Sequence, residues 1–171
     1  MPRKGDITQQ IVAADLCTGC GACAALAPKQ IGFGLDESGF MRPRTHSRLS
    51  RGVRNSITKI CPGQQQIPEA QGDKADLLWG SYRQVLEGWS NDKDIRFEAA
   101  SGGALTGLLA WLLKEGKVDA VLSTAADPDN PVGNRSVISR SRDDLLRQAA
   151  SRYAPSAPLL KVPRLLEGKT R

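Results

Sequence analysis

The feature that most constrains this chain is the stretch LCTGCGACAALAP, Leu16 to Pro28, which spaces Cys17, Cys20 and Cys23 three residues apart and then sets Ala27 before Pro28. Thiols so close in sequence cannot pair as ordinary disulfides without straining the S–S geometry, but they can wrap one corner of a metal centre. In the bacterial ferredoxin run C-x-x-C-x-x-C-x-x-x-C-P, the first three cysteines hold one iron–sulfur cube and the fourth serves another cluster. Ala27 occupies that fourth position, so the ligand it removes belongs to a second cluster. The first needs a distant cysteine, usually followed by proline, and ITKICPG supplies Cys61-Pro62. Cys17, Cys20, Cys23 and Cys61 thus form a complete four-thiolate set for a 4Fe-4S cluster, with no cysteine left over. Gly19, Gly21, Ala22 and Ala24 keep the loop slim enough for backbone N–H groups to approach bridging sulfides. The competing reading is a structural zinc site, although such sites usually pair two C-x-x-C knuckles.

A chain of 171 residues accommodates one ordinary domain or a small module joined to a medium one. No stretch approaches the roughly 20 apolar residues of a membrane helix, and MPRKGDITQQ lacks the apolar run of a secretory signal, so the expectation is a soluble, cytoplasmic protein without membrane insertion. The net charge of +6 favours an acidic partner or cofactor, while three Phe, three Trp and two Tyr offer little for stacking bases. Nucleic acid is therefore not expected as a partner. Much of the positive charge lies between Cys23 and Cys61, at Arg42, Arg44, Arg48, Arg51, Arg54 and Lys59, and no acid occurs between Glu37 and Glu69. Two readings stand: a solvated loop, or a surface that offsets an anionic cluster or steers an acidic electron-transfer partner. His46, the single histidine, reads as a loop residue because the thiolate set is already full.

The polar stretch IPEAQGDKAD, Ile67 to Asp76, marks a boundary, giving an iron–sulfur module over 1–70 and a second unit over 71–171. In the second unit YRQVLEGWS reads as a strand. SGGALTGLLAWLLKEG reads as a helix capped by Ser101, stopped by Gly116, with Leu105, Leu108, Leu109, Leu112 and Leu113 on one face. VDAVLST and RSVISR read as strands, and Ser141 with Asp144 frames a second helix, RDDLLRQAA. Alternation of strands and helices predicts an α/β layer architecture. AASGGA at a helix start lets a phosphate or ring system approach backbone N–H groups, or is simply a cap followed by flexible glycines. Arg152 and Tyr153 in SRYAP could hold an anion or edge a turn.

In combination the motifs are more specific. LCTGCGAC, then D-x-x-G-F-x-x-P, CPG, the run from WGSYRQVLEGW to KVDAVL, and finally AASRYAPSAPL occur in that order, and together they resemble the coenzyme F-420 hydrogenase/dehydrogenase beta subunit family. The resemblance implies a small ferredoxin-like iron–sulfur module followed by an α/β flavin-type domain, of mixed α+β and α/β class. It implies a 4Fe-4S cluster on the four cysteines and FAD at or near Ser101, Gly102, Gly103, Ser151, Arg152 and Tyr153. Electrons would pass between cluster, flavin and a partner protein, and no acid/base residue for substrate reduction is identified. Family members commonly run to more than twice this length, so the flavin-type domain is expected to be truncated here and its flavin site incomplete, with the missing half a candidate partner. The alternative is a ferredoxin-like electron carrier or docking module without its own flavin.

Overall fold

The computed structural model describes residues 6–65 and 74–167. Its first region winds around the cysteine loop. Helix α1 (Ile7–Ala13) starts where the Asp6 carboxylate accepts from the Thr8 N–H, and helix α2 (Ala22–Leu26) begins directly after Gly21. Strands β1 (Ile31–Leu35) and β2 (Met41–Thr45) form an antiparallel hairpin in the register Ile31↔Thr45 to Leu35↔Met41. The hairpin turns because the Asp36 side chain accepts from the N–H groups of Ser38 and Phe40, and Gly39 supplies the left-handed residue at φ +81°. Helix α3 (Arg51–Ile60) is capped by Ser50 and ends at Cys61. It turns Val53 and Ile57 toward a core that includes Ile11, Ala24, Ala27, Ile31 and Leu49, with Cys17, Cys23 and Cys61 packed against it.

The second region opens with a short hairpin, β3 (Lys74–Asp76) with β4 (Gly80–Tyr82). Helix α4 (Lys93–Glu98), a 3-10 turn over Ser101–Gly103 and helix α5 (Ala104–Lys114) follow. Strands β5 (Val121–Asp127) and β6 (Asn130–Ser139) pair antiparallel, helix α6 (Arg142–Arg147) follows, and a 3-10 turn over Pro158–Lys161 leads into α7 (Val162–Glu167).

The class is mixed α and β, but the expected α/β layering is corrected. Among the described residues every strand pairing is antiparallel, in three separate two-stranded sheets. The two successive strands read at VDAVLST and RSVISR are β5 and β6, joined by a turn at Pro128 and Asp129, because proline presets the backbone of the first turn position and the Asp127 carboxylate accepts from the Asp129 N–H.

Three further expectations change. YRQVLEGWS is a strand only at Tyr82, since among the described residues β4 has no partner beyond the three residues of β3. Ser101 does not cap the long helix: it sits at φ +52° within the 3-10 turn, and α5 starts one turn later from Gly103. Nor do the five leucines make a buried stripe, for α5 buries none of its residues and exposes Leu105 and Leu108 by 69% and 53%. Gly116 does end that helix, at φ +61° with its N–H donated to the Leu113 carbonyl. Ser141 and Asp144 form the reciprocal capping box that their spacing predicts. The proposed boundary at 70/71 lies outside the described residues.

Candidate functional site

Three elements deliver the cysteines. Cys17 and Cys20 come from the loop after α1, Cys23 from α2, and Cys61 from the C-terminal end of α3. All four line one hollow, walled otherwise by Thr8, Ile11, Phe33, Pro43 and Ile57 among others, with about 380 Å³ of non-atom space, part of it open to solvent. All four are free thiols. Among the described residues, no three of His, Cys, Asp and Glu are drawn together tightly enough to hold a single metal ion.

Two close approaches hold the loop, one to the segment after Cys61 and one to the C-terminal segment. A Cβ on Gly63 would lie 2.1 Å from the Leu16 carbonyl oxygen, so only glycine lets the turn after Cys61 press against the loop entering Cys17. Gly21 has φ +85°, and a Cβ there would meet Leu160 Cγ at 2.8 Å. The loop's backbone is pinned from both sides: Arg42 Nη1 donates to the Cys17 carbonyl at 3.0 Å, and the Leu159 N–H donates to the Cys20 carbonyl at 3.0 Å.

Burial pushes the Cys23 thiol up to about 11, only partly offset by the Ala24 N–H, and the neighbouring Cys20, Cys17 and Cys61 add to the rise. A buried thiol such as Cys23 becomes a thiolate when a cationic centre compensates it, and four sulfur donors around one hollow fit an iron–sulfur group. Ala27 is buried in the core and donates its N–H to the Cys23 carbonyl, so its side chain faces packing rather than the hollow's donor set.

The second group of candidate residues is gathered only in part. Ser101, Ser151 and Arg152 line one open cleft between α5, the β5–β6 hairpin and the segment after α6, with about 1120 Å³ of non-atom space including its open side. Gly102 and Gly103 are not among its lining residues; a Cβ on Gly103 would meet Ile95 at 2.7 Å, so that glycine seats α5 on α4. Tyr153 is 95% exposed and also outside the lining.

Sequence reasoning missed Asn134, which accepts from Arg152 Nε at 3.1 Å and donates to the Ala154 carbonyl at 2.6 Å, fixing the segment that closes the cleft. It also missed Ser123, whose buried hydroxyl faces the cleft without a partner among the described residues. Neither residue belongs to a motif that spacing could have picked out. An orphaned hydroxyl, a guanidinium and further hydroxyl and amide side chains suit a polar, hydrogen-bonding ligand such as a flavin.

Residues 85–164 match the family described as Coenzyme F420 hydrogenase/dehydrogenase, beta subunit N-term. Over this segment the chain is similar to the N-terminal part of the coenzyme F420 hydrogenase/dehydrogenase beta subunits. Among curated relatives, the coenzyme F420-dependent sulfite reductase of Methanocaldococcus jannaschii is 27% identical over 86% of this chain and 21% of its own. The coenzyme F420 hydrogenase subunit beta of Methanosarcina barkeri is 30% identical over 47% of this chain and 28% of its own. The match with the corresponding subunit of Methanothermobacter thermautotrophicus is 28% identical over 50% of this chain and 31% of its own. The chain therefore spans less than a third of the length of each of these relatives. A solved structure of the F420-reducing [NiFe] hydrogenase complex from Methanosarcina barkeri aligns with 47% of this chain and 28% of that chain, at TM-score 0.44 and 28% identity. No described helix is long and apolar enough to cross a membrane.

Proposed function

We propose that this chain is an electron-transfer oxidoreductase, or the amino-terminal part of one, in which Cys17, Cys20, Cys23 and Cys61 hold a 4Fe-4S cluster and the Ser101–Arg152 cleft seats a flavin. The observation that carries this reading is the convergence of four cysteines from three elements on one hollow. Similarity to the coenzyme F420 hydrogenase/dehydrogenase beta subunits supports it at the level of reaction class.

When bound, the cluster supplies one-electron transfer, and the flavin converts between one-electron and two-electron steps. The chain's own residues hold and screen. Arg42 and the Leu159 N–H fix the carbonyls of Cys17 and Cys20. Ile11, Phe33 and Ile57 give the hollow an apolar wall, which limits water around the sulfurs. Asn134 holds Arg152 at the cleft, where its guanidinium can meet an anionic or carbonyl group of the ligand.

The segment from Ser151 to Lys161 serves both places. Ala154 and Ser156 line the cleft, the Ala157 carbonyl accepts from Ser136 Oγ at 3.3 Å, and Leu159 reaches Cys20.

Anaerobic reconstitution of the chain is expected to give about four iron and four sulfide per chain and an absorbance shoulder near roughly 400 nm. Stoichiometric zinc in a colourless protein would overturn it.

A second reading, an electron carrier or docking module without its own flavin, is favoured by the outward position of Tyr153 and by the absence of Gly102 and Gly103 from the cleft lining. Titration with FAD separates the two: quenching of flavin fluorescence at one equivalent supports the first, and its absence beside an intact cluster spectrum supports the second.

A further inference from the structure

We propose that the outer face of α3, with Arg48 before it and Leu16 and Ile60 beside the cysteines, is the docking surface for an acidic electron-carrier protein; this rests on the four cysteines holding a redox cluster. The argument begins with which basic side chains are already employed. Arg42 bonds the Cys17 and Met41 carbonyls and lies 3.9 Å from Asp36, and Arg44 bonds the Leu35 carbonyl. Arg48, Arg51, Arg54 and Lys59 make no ion pair or side-chain hydrogen bond among the described residues.

Their placement works against the helix that bears them. The first turn of α3 contains no acid and begins with Arg51, although the helix dipole favours negative charge there by about 0.3–1 kcal/mol. Helix stability does not explain those charges, whereas an external anion would.

Position supplies the link to redox chemistry. At a rise of about 1.5 Å per residue, Arg51 is about 15 Å along the axis from Cys61, and Lys59 is within a single turn of it. With Val53 and Ile57 turned inward, Arg51, Asn55, Thr58 and Lys59 share the opposite side.

Next to the ligands, Leu16 precedes Cys17 and Ile60 precedes Cys61, and they are 48% and 46% exposed. Leu16 also packs against Gly63, which ties the two ligand segments at the surface. Apolar contacts beside the redox centre with a cationic rim match the anatomy of a protein interface. Nucleic acid is disfavoured because no Phe, Trp or Tyr occurs from 41 to 65 to stack a base.

The step is a single-electron exchange: the reduced carrier loses one electron, the cluster held by this chain gains it, and no proton or bond is transferred. Steering by the four cations raises the encounter rate, and added salt removes that advantage over a Debye length of about 10 Å at 0.1 M.

The test is calorimetric titration of the anaerobically reconstituted full chain with an oxidised, strongly acidic [2Fe–2S] ferredoxin at low and high salt. A short DNA duplex is titrated in parallel. The expected result is salt-sensitive ferredoxin binding that weakens at least about tenfold in R51E/R54E, charge reversals that suit the helix dipole and so keep α3 folded. Leu16→Ser with Ile60→Ser is expected to weaken binding while leaving the salt dependence unchanged.

Equal affinity of wild type and R51E/R54E for the ferredoxin would overturn the proposal, as would DNA binding that displaces the ferredoxin. If the chain takes up no iron, the cluster assignment fails instead, while the titration still reads the docking surface.

Discussion

The two regions of this molecule are stabilised by different means. Around the cysteine loop, Ile11, Ile31, Leu49 and Ile57 close into a core, and Cys17, Cys23 and Cys61 pack against it. Beyond residue 90, local devices predominate. Asp92 caps α4 and binds Arg142, Ser141 and Asp144 cap each other, and the β5–β6 ladder is its own partner. Meanwhile α5 leaves Leu105 and Leu108 exposed and only half-buries its other leucines among the described residues. A site built of side chains packed into a core inherits the core's rigidity; a cleft bordered by a partly exposed helix does not.

The largest effect expected in the first region is that of Cys61→Ala, which should abolish stable cluster binding, whereas Ala27→Cys should leave the iron content unchanged because that position faces the core. Iron and sulfide analysis decides both, and four irons retained in Cys61→Ala would remove Cys61 from the ligand set.

Next comes Ile57→Ala, a truncation at a residue with 0% exposure, expected to cost about 2–5 kcal/mol in chemical denaturation. Gly63→Ala should lower cluster occupancy without touching a ligand, because its Cβ has to displace the Leu16 backbone; full iron content would show that the turn can move aside.

In the second region effects should be smaller. Arg142, chiefly through its hydrogen bonds, holds the Asp92 carboxyl below the usual carboxylate range, with the Ile95 N–H assisting. A depressed carboxylate stabilises the fold above its ordinary value of about 3.9 and loses that contribution as pH falls through its folded value. Asp92→Asn should therefore melt earlier than wild type near neutral pH, and the two melting curves should converge in strong acid. Smallest of all, Leu105→Gln or Leu108→Gln should change stability by under about 0.5 kcal/mol, since neither side chain is buried. A loss comparable to that of Ile57→Ala would erase the contrast between the regions.

What the sequence made legible follows the same division. Spacing is a local property, so the clustering of Cys17, Cys20 and Cys23 could be read directly, and the proline after Cys61 marked the distant cysteine that joins them at the hollow. The Ser141–Asp144 box was legible for the same reason. The Ser101 cap was not, because Ser101, Gly102 and Gly103 all take positive φ and delay the helix, a conformation that a run of small residues permits but does not dictate. The leucines of α5 mark an apolar helix without saying what covers it.

One contact changes how the chain is connected. The peptide passes from the first region to the second through residues 66–73, and it returns when Leu159 bonds Cys20 and Leu160 fills the space over Gly21. Two crossings make a closed circuit, so a molecule nicked by a protease in that first connection would remain a single particle under native conditions and separate only in denaturant.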